Sequence, residues 1–349
     1  MSLALDKSAL QFRGFTFTRG SDGYQKPTPW LVKDYLPSDS FGVIYGQSGS
    51  LKTFIALEIA CAVATGSTWN NKSVDAGAVL YIAAEGGNGV SSRLKAWETI
   101  NSLEATDVFK HVGSVFVARK DVRDEFTKAM KELESSLNVK FKLVIFDTLA
   151  QNFEGDENSS QAMSEFVRGC NKLRNDADVS VMCIHHTGKD EAKGSRGSNA
   201  LVGACDYEYH VKRRNNSLIA TLINTKQKDA EPSETVELEF ESVPLDIRDG
   251  DQKPITSLAR VKPISVKTKQ TLLEQEPIVQ CLKQQLNGSA TREAIKQRIY
   301  SKETIGNWGN SETKDFYRKF NKLEEAGLVK VTQISSNRRS MQDIACLAA

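Results

Sequence analysis

The 349-residue chain is sparing with the residues that mark several protein classes. Its six cysteines, at 61, 170, 183, 205, 281 and 346, are scattered and form no C-x-x-C pair. That leads us to expect a reducing, cytoplasmic setting with the thiols as small buried apolar groups. There are only four histidines, and His185-His186 is their one close pair, too little for a zinc centre. The longest apolar run near the start, "FIALEIACAVA" (54–64), is about half of a membrane-spanning helix, so no membrane association is expected, nor a secretory leader. No internal repeat or low-complexity tract is present. The net charge is only +2, so the whole-molecule charge names no partner.

What the chain does have is alternation. Short, near-continuous apolar runs at 41–46, 78–85, 114–118, 142–149 and 180–186 are separated by stretches with helical spacing at 52–65, 90–100, 124–137 and 160–175. Buried strands alternating with helices predict a parallel sheet covered on both faces. After Asp206 the period changes. "YEYHVKRRNNSLIATLINTKQ" predicts a hairpin turning at Asn215-Asn216, and "TVELEFESV" continues it, so antiparallel strands should close the sheet. Residues 1–36 read as a leading arm that packs through Trp30, Leu31, Tyr35 and Leu36, 37–245 as the α/β domain, and 246–270 as a linker by composition. Residues 271–349 read as three helices and a hairpin, with the second helix starting at Ser289 or Thr291. That is the plan of a winged-helix module.

The most informative stretch is "GQSGSLKT" (46–53), which matches the phosphate-loop pattern G-x-x-x-x-G-K-[ST] except that Leu51 stands at the second glycine. It follows a buried strand and opens a helix, the context the pattern requires. In such a loop, backbone N–H groups and the positive end of the helix converge on phosphate. The loop residues Gly46, Gln47, Ser48, Gly49, Ser50, Leu51, Lys52, Thr53 and Phe54 are therefore the candidate nucleotide cradle. Lys52 would meet the β/γ-phosphates, and Thr53 would complete a Mg²⁺ shell. Leucine at 51 is acceptable if that residue takes helix-like angles. Asp147, ending the apolar run "LVIFD", is the candidate partner for Mg²⁺ at the sheet's carboxyl edge. Glu85, ending "VLYIAAE", would orient or deprotonate water, and His186 in "CIHHTGK" would sense the γ-phosphate.

Two further places carry cations. The segment 188–204, "GKDEAKGSRGSNALVG", holds Arg196 beside the expected phosphate edge and reads as a DNA-gripping loop, an interface loop or a plain connection. Lys226 and Lys228 alternate onto one face after an apolar strand, in position to reach a neighbour's γ-phosphate. Residues 265–349 carry 14 Lys+Arg against 9 Asp+Glu, whereas the rest carries 32 against 35, so positive charge is concentrated in the small module. Lys314, Arg318, Lys319 and Lys322 on its third helix, with Arg338 and Arg339 at the hairpin tip, are the candidate nucleic-acid contacts, and Phe316, Phe320 and Leu323 should face its core.

Taken together, "GQSGSLKT", "YIAAEGG", "LVIFDTLAQN", "CIHHTGKDEAKGSRGSNALVGACD" and "NTKQKD" resemble the RecA-like hexameric replicative helicases of the plasmid and phage RepA type, over about residues 28–230. The resemblance implies ATP hydrolysis with Mg²⁺ at subunit interfaces, a ring of six and single-stranded DNA in a central channel. It implies roles for Lys52 and Thr53 at phosphate and Mg²⁺, Glu85 at water, Asp147 at Mg²⁺ and His186 as sensor. Leu51 departs from it. A replication initiator or helicase loader switched by nucleotide, and a recombination or repair ATPase, are the other expectations. The C-terminal module would meet duplex DNA or a replication protein.

Overall fold

The computed structural model describes residues 10–21, 24, 27–85, 87–187, 199–214, 217–261, 276–286, 288–306, 308–325, 327–332 and 340–347. Two compact units divide the chain, residues 1–262 and 263–349. The first begins with an antiparallel hairpin, β1 (Leu10–Phe12) and β2 (Phe15–Phe17). Then β3 (Trp30–Val32) pairs with β4 (Leu36–Pro37); Leu31, Tyr35 and Leu36 are buried in the core, together with Val32, whereas Trp30 is only half-buried and does not belong to it.

The α/β succession follows: β5 (Phe41–Gly46), α1 (Lys52–Thr65), β6 (Ala78–Ala83), α2 (Gly87–Asn101), β7 (Val108–Val112), α3 (Lys120–Leu137), β8 (Phe141–Asp147), α4 (Ser160–Ala177), β9 (Ser180–His186), the short α5 (Asn199–Ala204), β10 (Tyr207–Arg213), β11 (Ile219–Gln227), β12 (Val236–Arg248) and β13 (Pro254–Arg260). These strands form one nine-stranded sheet in the order β13-β12-β11-β10-β5-β9-β8-β6-β7. From β10 to β7 every pairing is parallel, and β11 to β13 are antiparallel. One core, with α1 and α2, covers one face, and a second, with α3 and α4, covers the other. The apolar helix α1 is explained by its surroundings. It packs on the sheet, on α2 and on β13, so nearly its whole circumference is enclosed.

Two expectations fail here. Residues 114–118 are not a strand; Val115 and Val117 are buried from a loop, and the strand is β7, at the sheet's edge. Lys110 and His111 mask it, because an edge strand has one face in water and no continuous apolar run. Residues 246–260 are not linker either. β12 runs to Arg248, and β13 pairs with it and packs on α2 through Ala259 and Ile255. The polar composition reflects an exposed strand edge. Arg260 then donates from Nη1 to Glu58 Oε1 of α1 at 2.9 Å and from Nη2 to Asn70 Oδ1 at 3.0 Å, beneath the Trp69 ring, so this hairpin is held to the helix that opens at Lys52. The rest of the expected linker, 262–270, the turn at Asn215-Asn216 and most of 188–204 lie outside the described residues.

The second unit runs α6 (Pro277–Gln285), β14 (Ser289–Thr291), α7 (Arg292–Ile299), α8 (Lys302–Gly306), α9 (Asn310–Glu325), β15 (Val329–Thr332) and β16 (Ile344–Leu347). Its three strands are antiparallel in the order β14-β16-β15. Thr291 caps α7, its hydroxyl accepting from Ala294 N at 3.2 Å. The residues before it form β14 rather than the helix start expected at Ser289. The core of this unit holds Phe316, Phe320 and Leu323 from α9.

Candidate active site

The carboxyl ends of β5, β6, β8 and β9 lie side by side, and the candidate residues sit at or just beyond them. β5 ends at Gly46, where the chain must turn tightly. A Cβ on Gly46 would lie 2.3 Å from the Val211 carbonyl oxygen of β10, so only glycine fits between the two strands. Gly49 follows with φ +76°. Leu51 also takes a left-handed conformation, φ 74° and ψ 15°, at the cap of α1. The expectation of helix-like angles is corrected: the backbone keeps the shape that glycine would take there, at a cost of about 1–2 kcal/mol for an L-residue. The leucine side chain is only 6% exposed and belongs to the core that contains Ile44 and Ile55, so it points away from the cradle. Burying it offsets the strained backbone by roughly 1.5–3 kcal/mol.

Lys52 is buried at the foot of the loop. Its Nζ donates to the carbonyls of Gly46 at 2.9 Å and Gln47 at 2.6 Å, and lies 3.5 Å from Ser50 Oγ. It also lies 3.5 Å from His186 Nδ1. Burial pulls its pKa down to about 8, against the raising influence of Asp147 and Glu85. Thr53 Oγ1 donates to Asp147 Oδ2 at 3.0 Å, and Tyr81 OH donates to the same oxygen at 2.6 Å. Burial raises the Asp147 carboxyl above the usual carboxylate range, opposed by those two hydrogen bonds. His186 Nε2 faces Glu85 Oε2 at 3.9 Å. Its pKa is lowered, first by burial and then by the Lys52 ammonium, so the imidazole is neutral near pH 7. A neutral ring with its proton on Nε2 accepts from Lys52 through Nδ1 and presents N–H towards Glu85. Alternation along β9 separates the two histidines: His185 is buried in the sheet, whereas His186 is half-buried at the site.

The structure thus brings Lys52, Thr53, Asp147, Glu85 and His186 together. Gln47, Ser48 and Gly49 are exposed on the loop, and with Ser50 they border a cleft of about 770 Å³ whose other wall is Val211–Arg214, Ser217, Ile219, Thr221 and Glu237. Phe54 does not point at the cradle. Its ring packs on Phe240 at 6.2 Å and under the Arg93 guanidinium at 5.0 Å. A hydroxyl and a buried carboxylate 3.0 Å apart, without an ion-paired cation among the described residues, suit a hard cation that takes oxygen ligands, so the residues fit Mg²⁺.

Lys226 and Lys228 are not at this site. β10 runs parallel to β5 with Tyr207 beside Gly42, and Gln227 of β11 lies opposite Tyr207, so both lysines lie at the amino-terminal edge of the sheet. The four residues from Gly42 to Gly46 put them about 13 Å down the strand from the loop. Lys226 Nζ donates to the Val202 and Gly203 carbonyls at 2.7 and 3.1 Å, and Lys228 Nζ lies 3.4 Å from Asp206 Oδ1. On α9, Lys314, Arg318 and Lys322 are exposed, and Arg318 and Lys319 both pair with Asp315. Arg196, Arg338 and Arg339 lie outside the described residues.

Three residues near the site escaped the sequence reading. Tyr81 pins Asp147; a phenol inside a wholly buried strand needs a hydrogen-bond partner, which was the available signal. Arg93 of α2 exerts its charge on Asp147 and Tyr81 from the next element. Arg213 at the end of β10 donates from Nη1 to the Gly49 carbonyl at 2.8 Å. Neither arginine carries a local signal, because both reach the loop through tertiary packing.

Comparison with solved structures places several proteins alongside this chain. One solved ATPase domain aligns with a TM-score of 0.45 at 16% identity, over 58% of this chain and 82% of that one. The RadB recombinase aligns with a TM-score of 0.44 at 15% identity, over 58% and 87%. A DnaB-like replicative helicase aligns with a TM-score of 0.45 at 16% identity, over 58% and 56%. Likenesses this distant carry no argument about activity. A search of curated protein sequences returns no match. A family profile described as an AAA domain matches residues 6–192, more than half of the chain and a span that includes the loop, Glu85, Asp147 and His186, and the protein therefore belongs to this AAA-domain family.

Proposed function

We propose that this protein is an ATP-hydrolysing, DNA-dependent motor on a RecA-like core, assembled as a ring of RepA-type helicase subunits. The observation that carries the reading is the convergence of Lys52, Thr53, Asp147, Glu85 and His186 at one sheet edge, beside a loop whose backbone keeps the phosphate-binding shape despite Leu51. In the nucleotide-bound state the Lys52 ammonium leaves the Gly46 and Gln47 carbonyls for the β/γ-phosphates. Loop N–H groups and the start of α1 hold the remaining phosphate oxygens. Thr53 and Asp147 would hold Mg²⁺, which would supply positive charge to neutralise the phosphates. Glu85 orients the attacking water and takes its proton. His186, between Lys52 and Glu85, registers whether a γ-phosphate has drawn the lysine away. The rest of the nucleotide extends into the cleft lined by Val211–Arg214.

Lys226 and Lys228 act in trans in this reading. They lie at the opposite end of the strands from their own loop, so only a second copy can present its phosphates to them. Arg196 and the segment around it grip single-stranded DNA in the ring. The C-terminal unit runs helix-strand-helix-helix-helix-strand-strand, and in this reading it is a winged helix with the short α8 as an added turn. Lys314, Arg318, Lys319 and Lys322, with Arg338 and Arg339, contact duplex DNA there or a replication partner. A second reading, a nucleotide-switched loader, draws on the present pairing of Lys226 and Lys228 with their own chain.

The test is the rate of ATP hydrolysis with and without single-stranded DNA, measured alongside particle mass. The motor reading expects a DNA-stimulated oligomer whose activity is lost in Lys52→Ala and in Glu85→Gln. It also expects partial recovery when Lys52→Ala subunits are mixed with Lys226→Ala/Lys228→Ala subunits. A protein that binds ATP but does not hydrolyse it, and stays monomeric or dimeric on DNA, refutes the motor in favour of the switch.

A further inference from the structure

The β1–β2 hairpin is the most exposed apolar feature among the described residues. Its register pairs Leu10 with Phe17 and Phe12 with Phe15, so all four side chains share one face. They are 40%, 52%, 64% and 68% exposed in the order Leu10, Phe17, Phe12 and Phe15. Every described residue from 10 to 21 is exposed, so no part of the described chain covers this hairpin. A lone two-stranded hairpin is marginal in water, and an aromatic face of this kind persists when something covers it.

The same unit contains a groove that suits it. Trp30, Ala230 and Pro232 supply a small apolar floor above the nearly buried Tyr35, and Asp34, Glu231 and Glu234, with Lys72 and Ser233, form a predominantly polar and acidic rim around a cavity of about 320 Å³. Lys72 satisfies Asp34 at 2.6 Å, but neither Glu231 nor Glu234 pairs with a described cation. The hairpin carries the matching charges. Arg13 and Arg19 have no described carboxylate partner, and no acidic residue lies between 10 and 19.

From this complementarity we infer that the β1–β2 hairpin of one copy docks in the Trp30–Tyr35–Pro232 groove of the next copy, with Arg13 and Arg19 meeting Glu231 and Glu234. The inference rests on the assembly proposed above and names the strap that joins its subunits. Hairpin and groove are different surfaces of one chain, so the contact is head-to-tail and repeats into a ring or a filament. The groove begins two residues after Lys228, on the same sheet edge as the trans-acting cations, so one interface would serve both. The four side chains leave on the order of 400 Å² of apolar surface to bury. That is about half of what one partner contributes to a stable interface, so the hairpin reinforces a larger contact and does not form one alone.

The experiment measures particle mass against concentration for the full chain with Mg-ATP, and retention of fluorescent single-stranded DNA by the same samples. Phe12→Ser/Phe15→Ser should raise the concentration of half-assembly about tenfold or more, without changing the melting temperature of the dissociated protein. Arg13→Glu/Arg19→Glu and Glu231→Lys/Glu234→Lys should each weaken assembly, and combining them in one chain should restore it. Unchanged mass in the phenylalanine variant overturns the inference. So does unchanged mass with lost DNA retention, which makes the hairpin a base-stacking surface, and so does failure of the combined charge reversal to restore assembly. Wild-type protein that stays monomeric also overturns it. DNA-stimulated hydrolysis in the wild type separates the two levels. If it and assembly persist while the strap variants behave like wild type, the strap alone fails; if the wild type neither assembles nor hydrolyses ATP, the motor reading fails with it.

Discussion

Replacing Leu51 with glycine restores the residue that the phosphate-loop pattern asks for, and the structure predicts that this will harm the protein. The leucine is 6% exposed within the core formed by α1 and its neighbours. Truncating a buried leucine to alanine costs about 2–5 kcal/mol through lost burial and a residual cavity. Glycine loses about 0.8 kcal/mol more for the last methyl and about 0.5–1 for its greater freedom when unfolded. Against that, it recovers about 1–2 kcal/mol, because φ 74° no longer strains an L-residue. Leu51→Ala keeps the backbone cost. The two variants should therefore be destabilised by similar amounts, within about 1 kcal/mol of each other, whereas in an ordinary helix glycine is worse than alanine by about that much. Denaturant titrations of both variants measure the difference, and a fluorescent nucleotide measures affinity. Because the leucine side chain lies outside the cradle, Mg-ATP affinity should stay within about threefold of wild type once the protein is folded. A glycine variant more stable than wild type would show that the burial argument is wrong. A tenfold gain in affinity would show that leucine obstructs the phosphates.

Other outcomes test neighbouring groups. The Lys52 pKa is depressed from 10.5 to about 8, so between those values the unfolded chain binds more protons and stability rises with pH, whereas anion binding needs the charged form. Mg-ATP affinity should be flat below about pH 7 and fall by up to about tenfold per pH unit above 8, opposite in sign to the stability trend, and Lys52→Met should abolish both trends. Tyr81→Phe removes one hydrogen bond to Asp147; half-saturating Mg²⁺ for nucleotide binding should rise several-fold while metal-free nucleotide affinity is unchanged, as calorimetry can determine. Arg260→Leu strands Glu58 beneath β13 and should cost about 3–5 kcal/mol in denaturant unfolding, whereas Arg260→Leu with Glu58→Leu should recover much of that loss; a double variant as unstable as the single one would contradict the buried-pair account.

The candidate site was legible because its parts are local. A strand, a glycine turn, a lysine and a helix occur within 25 residues, and each acid ends an apolar run, so hydrophobic periodicity places Asp147, Glu85 and His186 at one edge once the sheet is parallel. Period two also separates His186 from the buried His185. β7 and β13 were missed for a common reason. Edge strands keep one face in water, so their polar residues erase the apolar run on which the reading depends. Phe54 was placed at the nucleotide by sequence adjacency, but its rotation around α1 takes the ring to Phe240.

The amino-acid sequence by itself determined the alternating α/β order, the phosphate loop with its lysine and threonine, and the carboxylates that end the strands, because these depend on residue type and short-range period. Only the tertiary structure decided that Leu51 holds a left-handed backbone, since a core pocket must exist before burial can offset that strain. It alone assigned Tyr81, Arg93 and Arg213 to the loop and its acid, put Lys226 and Lys228 at the far end of the strands, and folded a polar stretch back onto α1. Those placements depend on which strands become neighbours and in what register, a choice made by the packing of both sheet faces at once and not by any segment read alone.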